Sequence, residues 1–161
     1  MFINMTFEEY VKQYPDYIQD IVEKMKSISE RKDFHPEDTL YDHTRIVWER
    51  AKTTEDPNYM CAALLHDIGK VEAYEKYGKS YGHDKLSCYK LKPLRQLIVG
   101  TFGCKYNCVY AIIEQHMRIS KINEMRKTKQ EELFNNPYYE YINRFKNMDN
   151  MLYILKENEK W

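Results

Sequence analysis

The chain has 161 residues, with 25 Lys plus Arg against 25 Asp plus Glu, so no global field draws it to nucleic acid and any polyanion binding must come from a local patch. Its 43% hydrophobic and 14% aromatic content supplies enough large apolar side chains for a core, which excludes a disordered or collagen-like chain. The longest unbroken apolar run, Met60 to Leu65, falls far short of the roughly 20 residues that a bilayer span needs, so no membrane partner is expected.

The N-terminus lacks the basic start and small-residue cleavage site of a secretory signal, so the cytoplasm is the expected compartment. There the four cysteines (Cys61, Cys88, Cys104 and Cys108) are expected to be free thiols.

Glycine is scarce and apolar residues recur at three- and four-residue intervals, which predicts an all-α fold with no substantial sheet. Thr6 and Glu9 form a capping box that opens a short helix, interrupted by Pro15 before a second helix runs to about Ser29. Glu30 to Pro36 reads as a polar connector. A helix follows from about Glu37 or Asp38 to Lys52, with Leu40, His43, Ile46, Val47 and Arg50 on one stripe. Asp56-Pro57 is an N-cap followed by proline at the first helical position. The helix it opens ends in His66-Asp67-Ile68-Gly69-Lys70, where glycine is expected to mark a turn. Tyr74 to Gly82 suggests a loop or a short helix with a loop. Further helices are expected at Asp84 to Tyr89, Pro93 to about Thr101, Asn107 to His116 and about Pro137 to Lys156.

Polar residues occupy inward positions of this pattern. Tyr141, Phe145, Met148, Leu152 and Leu155 make a stripe, and Asp149 lies four after Phe145 and three before Leu152, on or beside the buried face. His116 follows Ile112 and Ile113, His43 shares a stripe with Leu40 and Val47, and His66 and Asp67 end an apolar helix. A buried carboxylate is costly unless it is paired, hydrogen-bonded or bound to a metal, and helical cores build metal sites from imidazole and carboxylate converging on one point.

The order His43, His66-Asp67, Asp149 resembles the HD-domain family of metal-dependent phosphohydrolases, with Ala63-Leu64-Leu65-His66-Asp67-Ile68-Gly69-Lys70 similar to its core motif. Gly82-His83-Asp84 and Gln115-His116-Met117 extend the likeness. His35-Pro36-Glu37-Asp38 leading to Asp42-His43-Thr44 looks most like the HD domain appended to some bacterial tRNA nucleotidyltransferases. The resemblance implies a single HD-domain helical bundle over residues 1–161, with a catalytic core of about 36–155 and N-terminal helices over 6–29 packed on it. It also implies that His43, His66, Asp67 and Asp149 ligate one metal, and that Asp67 bridges to a second metal completed by His83 and His116.

Imidazole and carboxylate ligands suit two divalent ions of Mn, Fe, Co, Ni or Zn. Hydrolysis would then need no serine or cysteine nucleophile. Lys70, and behind it Arg118, are the candidates to neutralise a substrate phosphate, with Asp67 and Lys70 as the catalytic pair. The implied activity is cleavage of a phosphate mono- or diester of a nucleotide or an RNA end, of the 2',3'-cyclic phosphodiesterase or phosphatase type. A deoxynucleotide phosphatase or triphosphohydrolase is the near alternative. A metal-stapled RNA- or protein-binding module without turnover is the alternative of another class. The basic residues Arg118, Lys121, Arg126, Lys127 and Lys129 read first as a solvated charged face and second as a nucleic-acid contact.

Overall fold

The computed structural model describes residues 2–29 and 39–150. Glu30 to Asp38, which include the connector and the His35-Pro36-Glu37-Asp38 motif, lie outside the described residues, as do Leu152 and Leu155. Among the described residues the fold is all-α, with no strand, and no helix is long and apolar enough to cross a membrane.

The N-terminal part holds α1 (Phe7–Val11) and α2 (Asp16–Lys24). Both halves of the capping box are present: Glu9 N donates to Thr6 Oγ1 and Thr6 N donates to Glu9 Oε1, each at 3.1 Å. The buried face of α1 meets α3 (Leu40–Lys52), where Phe7 and Tyr10 lie 5.6 and 5.2 Å, centroid to centroid, from the fully buried Trp48.

The central helix α4 (Pro57–Leu65) is buried from Asn58 to Leu65. A helix apolar on every side must lie at the core, and α4 packs against α3 and α7 (Tyr106–Ile119). Its start is fixed by Asp56, which accepts from Asn58 N at 2.9 Å, with Pro57 in the first turn as expected. Asp56 also accepts from Tyr141 Oη at 2.8 Å, tying α9 (Tyr139–Asp149) to the same point.

The expected turn at Gly69 sits one step earlier, over His66 to Ile68, and Gly69 is the first residue of α5 (Gly69–Tyr77). Its lack of a side chain serves packing: a Cβ there would collide with the His83 carbonyl and lie 2.6 Å from Ser87 N. Both belong to α6 (His83–Leu91), the helix packed on α5. Gly78 ends α5 and Gly82 opens α6, each with φ near +70° (+69° and +71°), a conformation that glycine adopts without steric cost.

Three expectations need correction. The segment from Pro93 to Thr101 is not one α-helix; Pro93, which has no N–H to give, sits in a 3-10 turn (Lys92–Leu94) and a π turn (Leu97–Thr101) follows. A helix was not expected at α8 (Lys127–Phe134), where Leu133 alone is buried and so leaves no periodic stripe to read. The last helix does not continue through Asn150, whose backbone is extended (ψ 107°), so Asp149 is its terminal residue.

Candidate metal centre

The ligand-type residues come from the ends and middles of five helices. The α3 capping box, in which Asp42 N donates to Thr39 Oγ1 and Thr39 N to Asp42 Oδ2 (both 3.2 Å), sets the start of the helix, and the first full turn then delivers His43. His66 caps the C-terminus of α4, its Nδ1 lying 2.7 Å from the carbonyl of Ala63. Asp67 follows it in the α4–α5 turn, His83 opens α6, His116 lies in the last turn of α7, and Asp149 ends α9.

All six side chains meet. Asp149 Oδ1 stands 2.9 Å from His43 Nε2 and 3.0 Å from His66 Nε2. Asp67 Oδ2 stands 3.1 Å from His66 Nε2 and 3.6 Å from His43 Nε2. The other oxygen, Asp67 Oδ1, faces His83 Nε2 at 3.3 Å and His116 Nε2 at 3.5 Å. One carboxylate thus stands between two groups able to hold a metal: His43, His66, Asp67 and Asp149 on one side, and Asp67, His83 and His116 on the other.

The donor chemistry fits cations at both places. His66, His83 and His116 each turn Nδ1 to a backbone carbonyl, of Ala63, Ser80 and Ile113, at 2.7, 3.0 and 2.5 Å. That contact assigns one ring proton to Nδ1 and turns Nε2 of each imidazole into the site. The Nε2 atoms of His83 and His116 are 3.3 Å apart, so two neutral rings would set lone pair against lone pair. The buried Asp67 Oδ1 beside them has no well-formed hydrogen bond. An orphaned oxygen and two opposed lone pairs in a buried pocket call for a positive charge between them.

The electrostatics agree. Burial opposes charge on His66, but the Asp67 and Asp149 carboxylates beside it raise its pKa to about 10. Burial likewise opposes ionisation of Asp67 and Asp149. His66 next to both, with Lys70 next to Asp67 and His43 next to Asp149, nonetheless holds both carboxyls well below the usual carboxylate range. Lys70 brings Nζ to 3.4 Å from Asp67 Oδ2. Arg118 is half-buried two residues past His116, so at 3.6 residues per turn it leaves α7 roughly 200° round the axis from that histidine. The basic residues Lys121, Arg126, Lys127 and Lys129 are exposed, and Lys129 pairs with Glu132 at 3.5 Å.

An all-α chain whose helices converge on paired histidine and aspartate groups through one shared carboxylate is the class that the fold and site define. Residues 40–151 match the model of the HD domain, and the chain belongs to the HD domain family. That family is one of metal-dependent phosphohydrolases, and the His and Asp groups that could hold the metal are present. No solved structure matches the chain.

The inward polar residues were legible because each interrupts an apolar stripe. Sequence reasoning missed the role of Ser87, a fully buried serine on α6 whose Oγ accepts from Gly69 N at 2.8 Å and so ties the start of α5 to the helix of His83. A serine flanked by Leu86 and Cys88 carries no periodic signal of that contact.

Proposed function

We propose that this chain hydrolyses a phosphate mono- or diester of a nucleotide or an RNA end, as a 2',3'-cyclic phosphodiesterase or phosphatase. The observation that carries the reading is the division of Asp67: its two oxygens face two separate imidazole sets, the donor arrangement suited to two divalent ions that share a carboxylate. His43, His66, Asp67 and Asp149 would hold one ion, and Asp67, His83 and His116 the other. Bound there, a pair of Mn, Fe, Co, Ni or Zn ions would supply Lewis acidity toward a phosphoryl oxygen and a water made nucleophilic at neutral pH.

The chain's own residues do the rest. The carbonyls of Ala63, Ser80 and Ile113 fix the tautomer and orientation of three imidazoles. Lys70 lies beside Asp67 and supplies a compact positive charge to a phosphate oxygen, while Arg118, on the other side of α7 from His116, would serve only a part of the substrate that extends past the end of that helix. Residues 1–161 act as one domain, with the contact of α1 on α3 through Phe7, Tyr10 and Trp48 supporting that organisation. The choice of RNA ends rests on the likeness of Asp42-His43-Thr44, Gly82-His83-Asp84 and Gln115-His116-Met117 to the HD domain of bacterial tRNA nucleotidyltransferases.

The test is a panel of 2',3'-cyclic nucleotides, 2'- and 3'-nucleotides, deoxynucleoside mono- and triphosphates and cyclic dinucleotides, assayed with Mn2+, Ni2+ or Co2+ against a chelated control. Metal-dependent release of phosphate or of a nucleoside monophosphate from the 2',3'-cyclic or 2'-phosphate class is expected. Turnover confined to deoxynucleotides would replace the substrate class, and silence from metal-loaded protein would replace the enzyme with a binding module.

A further inference from the structure

We propose that Arg50 is a positioning residue for Asp149, fixing that carboxylate from the same helix that supplies His43; the inference rests on the metal-centre reading of the site. Arg50 lies seven residues after His43, two turns along one face of α3. Its Nη1 donates to the carbonyl of Met148 at 2.8 Å and to the carbonyl of Asn150 at 3.1 Å. These are the residues on either side of Asp149: the Met148 carbonyl is in the peptide that enters Asp149 and the Asn150 carbonyl lies one peptide beyond the group that leaves it, so one side-chain nitrogen clamps the chain before and after the aspartate.

The arrangement answers a problem that the fold creates. Asp149 is the last residue of α9, and the final carbonyls of a helix have no partner within it. A ligand at a fraying end would swing with each opening of the last turn. A guanidinium nitrogen carries two N–H groups in one plane, and here they hold the peptide that enters Asp149 and the carbonyl of the residue that follows it, which limits how far the aspartate and its Cα–Cβ bond can swing. With that direction held, Asp149 Oδ1 reaches His43 and His66 at 2.9 and 3.0 Å. The α3 helix therefore positions two members of the four-ligand group, one directly and one through Arg50. Burial lowers the pKa of Arg50 and the nearby Asp149 carboxylate raises it again, a setting in which arginine keeps its charge more readily than lysine.

A cation near any helix C-terminus is mildly favourable whatever lies beside it, so the test must read more than stability. In metal-free protein with 15N-labelled histidine, held at one pH, Arg50→Ala is expected to shift the ring signals of His43 and His66, which face Asp149, and to leave those of His83 and His116 in place. In a His83→Ala background, which keeps only the four-ligand group, Arg50→Ala is expected to weaken Co2+ binding 10- to 100-fold, the usual effect of removing a group that orients a ligand. Arg50→Lys, which keeps the charge but not the planar fork, is expected to restore thermal stability and not Co2+ affinity.

The proposal is overturned if Arg50→Ala lowers the melting temperature while ring signals and Co2+ affinity stay unchanged, or if Arg50→Lys restores both completely. If Arg50→Ala does not fold, Arg50→Lys is read by the same two measurements, and wild-type values in both overturn the proposal. If the wild-type chain takes up no Co2+, the phosphohydrolase reading fails, while the histidine spectra still decide the role of Arg50.

Discussion

Gly69 and His83 are in backbone contact across the α5–α6 pair: a Cβ on Gly69 would overlap the His83 carbonyl and approach Leu86 Cβ to 2.8 Å. Gly69 follows the Asp67-Ile68 turn and His83 is itself in the site, so this contact sets how far the carboxylate stands from one of its imidazole partners. Helix propensity alone would favour alanine at a helical position by about 1 kcal/mol. Overpacking costs about 1 to 3 kcal/mol, and the upper part of that range, about 2 to 3 kcal/mol, applies where the atoms struck are backbone that cannot turn aside, so it is the larger effect. Gly69→Ala is therefore expected to lower the unfolding free energy by about 1 to 2 kcal/mol in denaturant titrations. It should also move His83 off Asp67 and weaken metal binding there. A variant of equal or greater stability would show that α5 and α6 can separate without penalty.

Asp67→Asn keeps the size of the side chain and removes its charge at the point shared by both groups. Turnover is expected to fall by at least about a hundredfold, since even groups that merely orient ligands are worth 10- to 100-fold. Bound metal should fall with it, while far-ultraviolet circular dichroism stays helical. Near-normal activity in Asp67→Asn would remove Asp67 from the mechanism.

The order of the site was readable in the sequence because chemistry and periodicity conflict there: His43, His116 and Asp149 each sit where the helical stripe calls for an apolar residue, and His66-Asp67 end the one helix apolar on every side. The helix ends were readable where a cap announces them, as at Thr6 and Asp56, but the C-terminal glycine cap of α5 at Gly78 lies in a stretch whose sequence suggests a loop or a short helix with a loop. What was not readable depends on contacts distant in sequence. Gly69 reads locally as a turn residue, and only the approach of α6 gives its true reason. The end of α9 at Asp149 sits where the apolar spacing carries on to Leu152 and Leu155, because periodicity records which face is buried and not where a backbone leaves the helix.

His83→Ala separates one metal from two. The His83 ring contributes to the three-residue group alone, so its removal is expected to lower metal content by about one ion per chain and to leave the ion at His43, His66, Asp67 and Asp149. Elemental analysis after dialysis against trace metal measures this directly. Unchanged stoichiometry would mean that a single ion is held by the four-ligand group.

The fold should weaken in alkali through buried thiols and phenols outside the metal centre, in addition to any loss of the His66 proton. Burial, assisted by Glu114 and Asp84, pushes the Cys88 thiol up to about 12, and burial with the nearby Asp56 does the same for Cys108, also to about 12. Burial raises Tyr59 to about 12, and the hydrogen bond to Asp56 raises Tyr141 to about 12. In the unfolded chain these groups lose their protons near their ordinary values, about 8.5 for a thiol and about 10 for tyrosine. Between those values and about 12 the folded chain binds more protons than the unfolded one, so stability falls as pH rises. Their stabilising contribution is complete below about pH 8 and is lost progressively from about pH 9 to 12. Denaturant midpoints at pH 8, 9.5 and 11 are expected to decrease in that order. Cys88→Ala should flatten the slope, because it removes one proton from the difference. At pH 8 the native Cys88 thiol is also expected to react with Ellman's reagent on the order of a thousandfold more slowly than in the denatured chain, in proportion to its smaller thiolate fraction. A midpoint independent of pH across this range, with prompt native labelling, would show these thiols and phenols to be in contact with water in the folded protein.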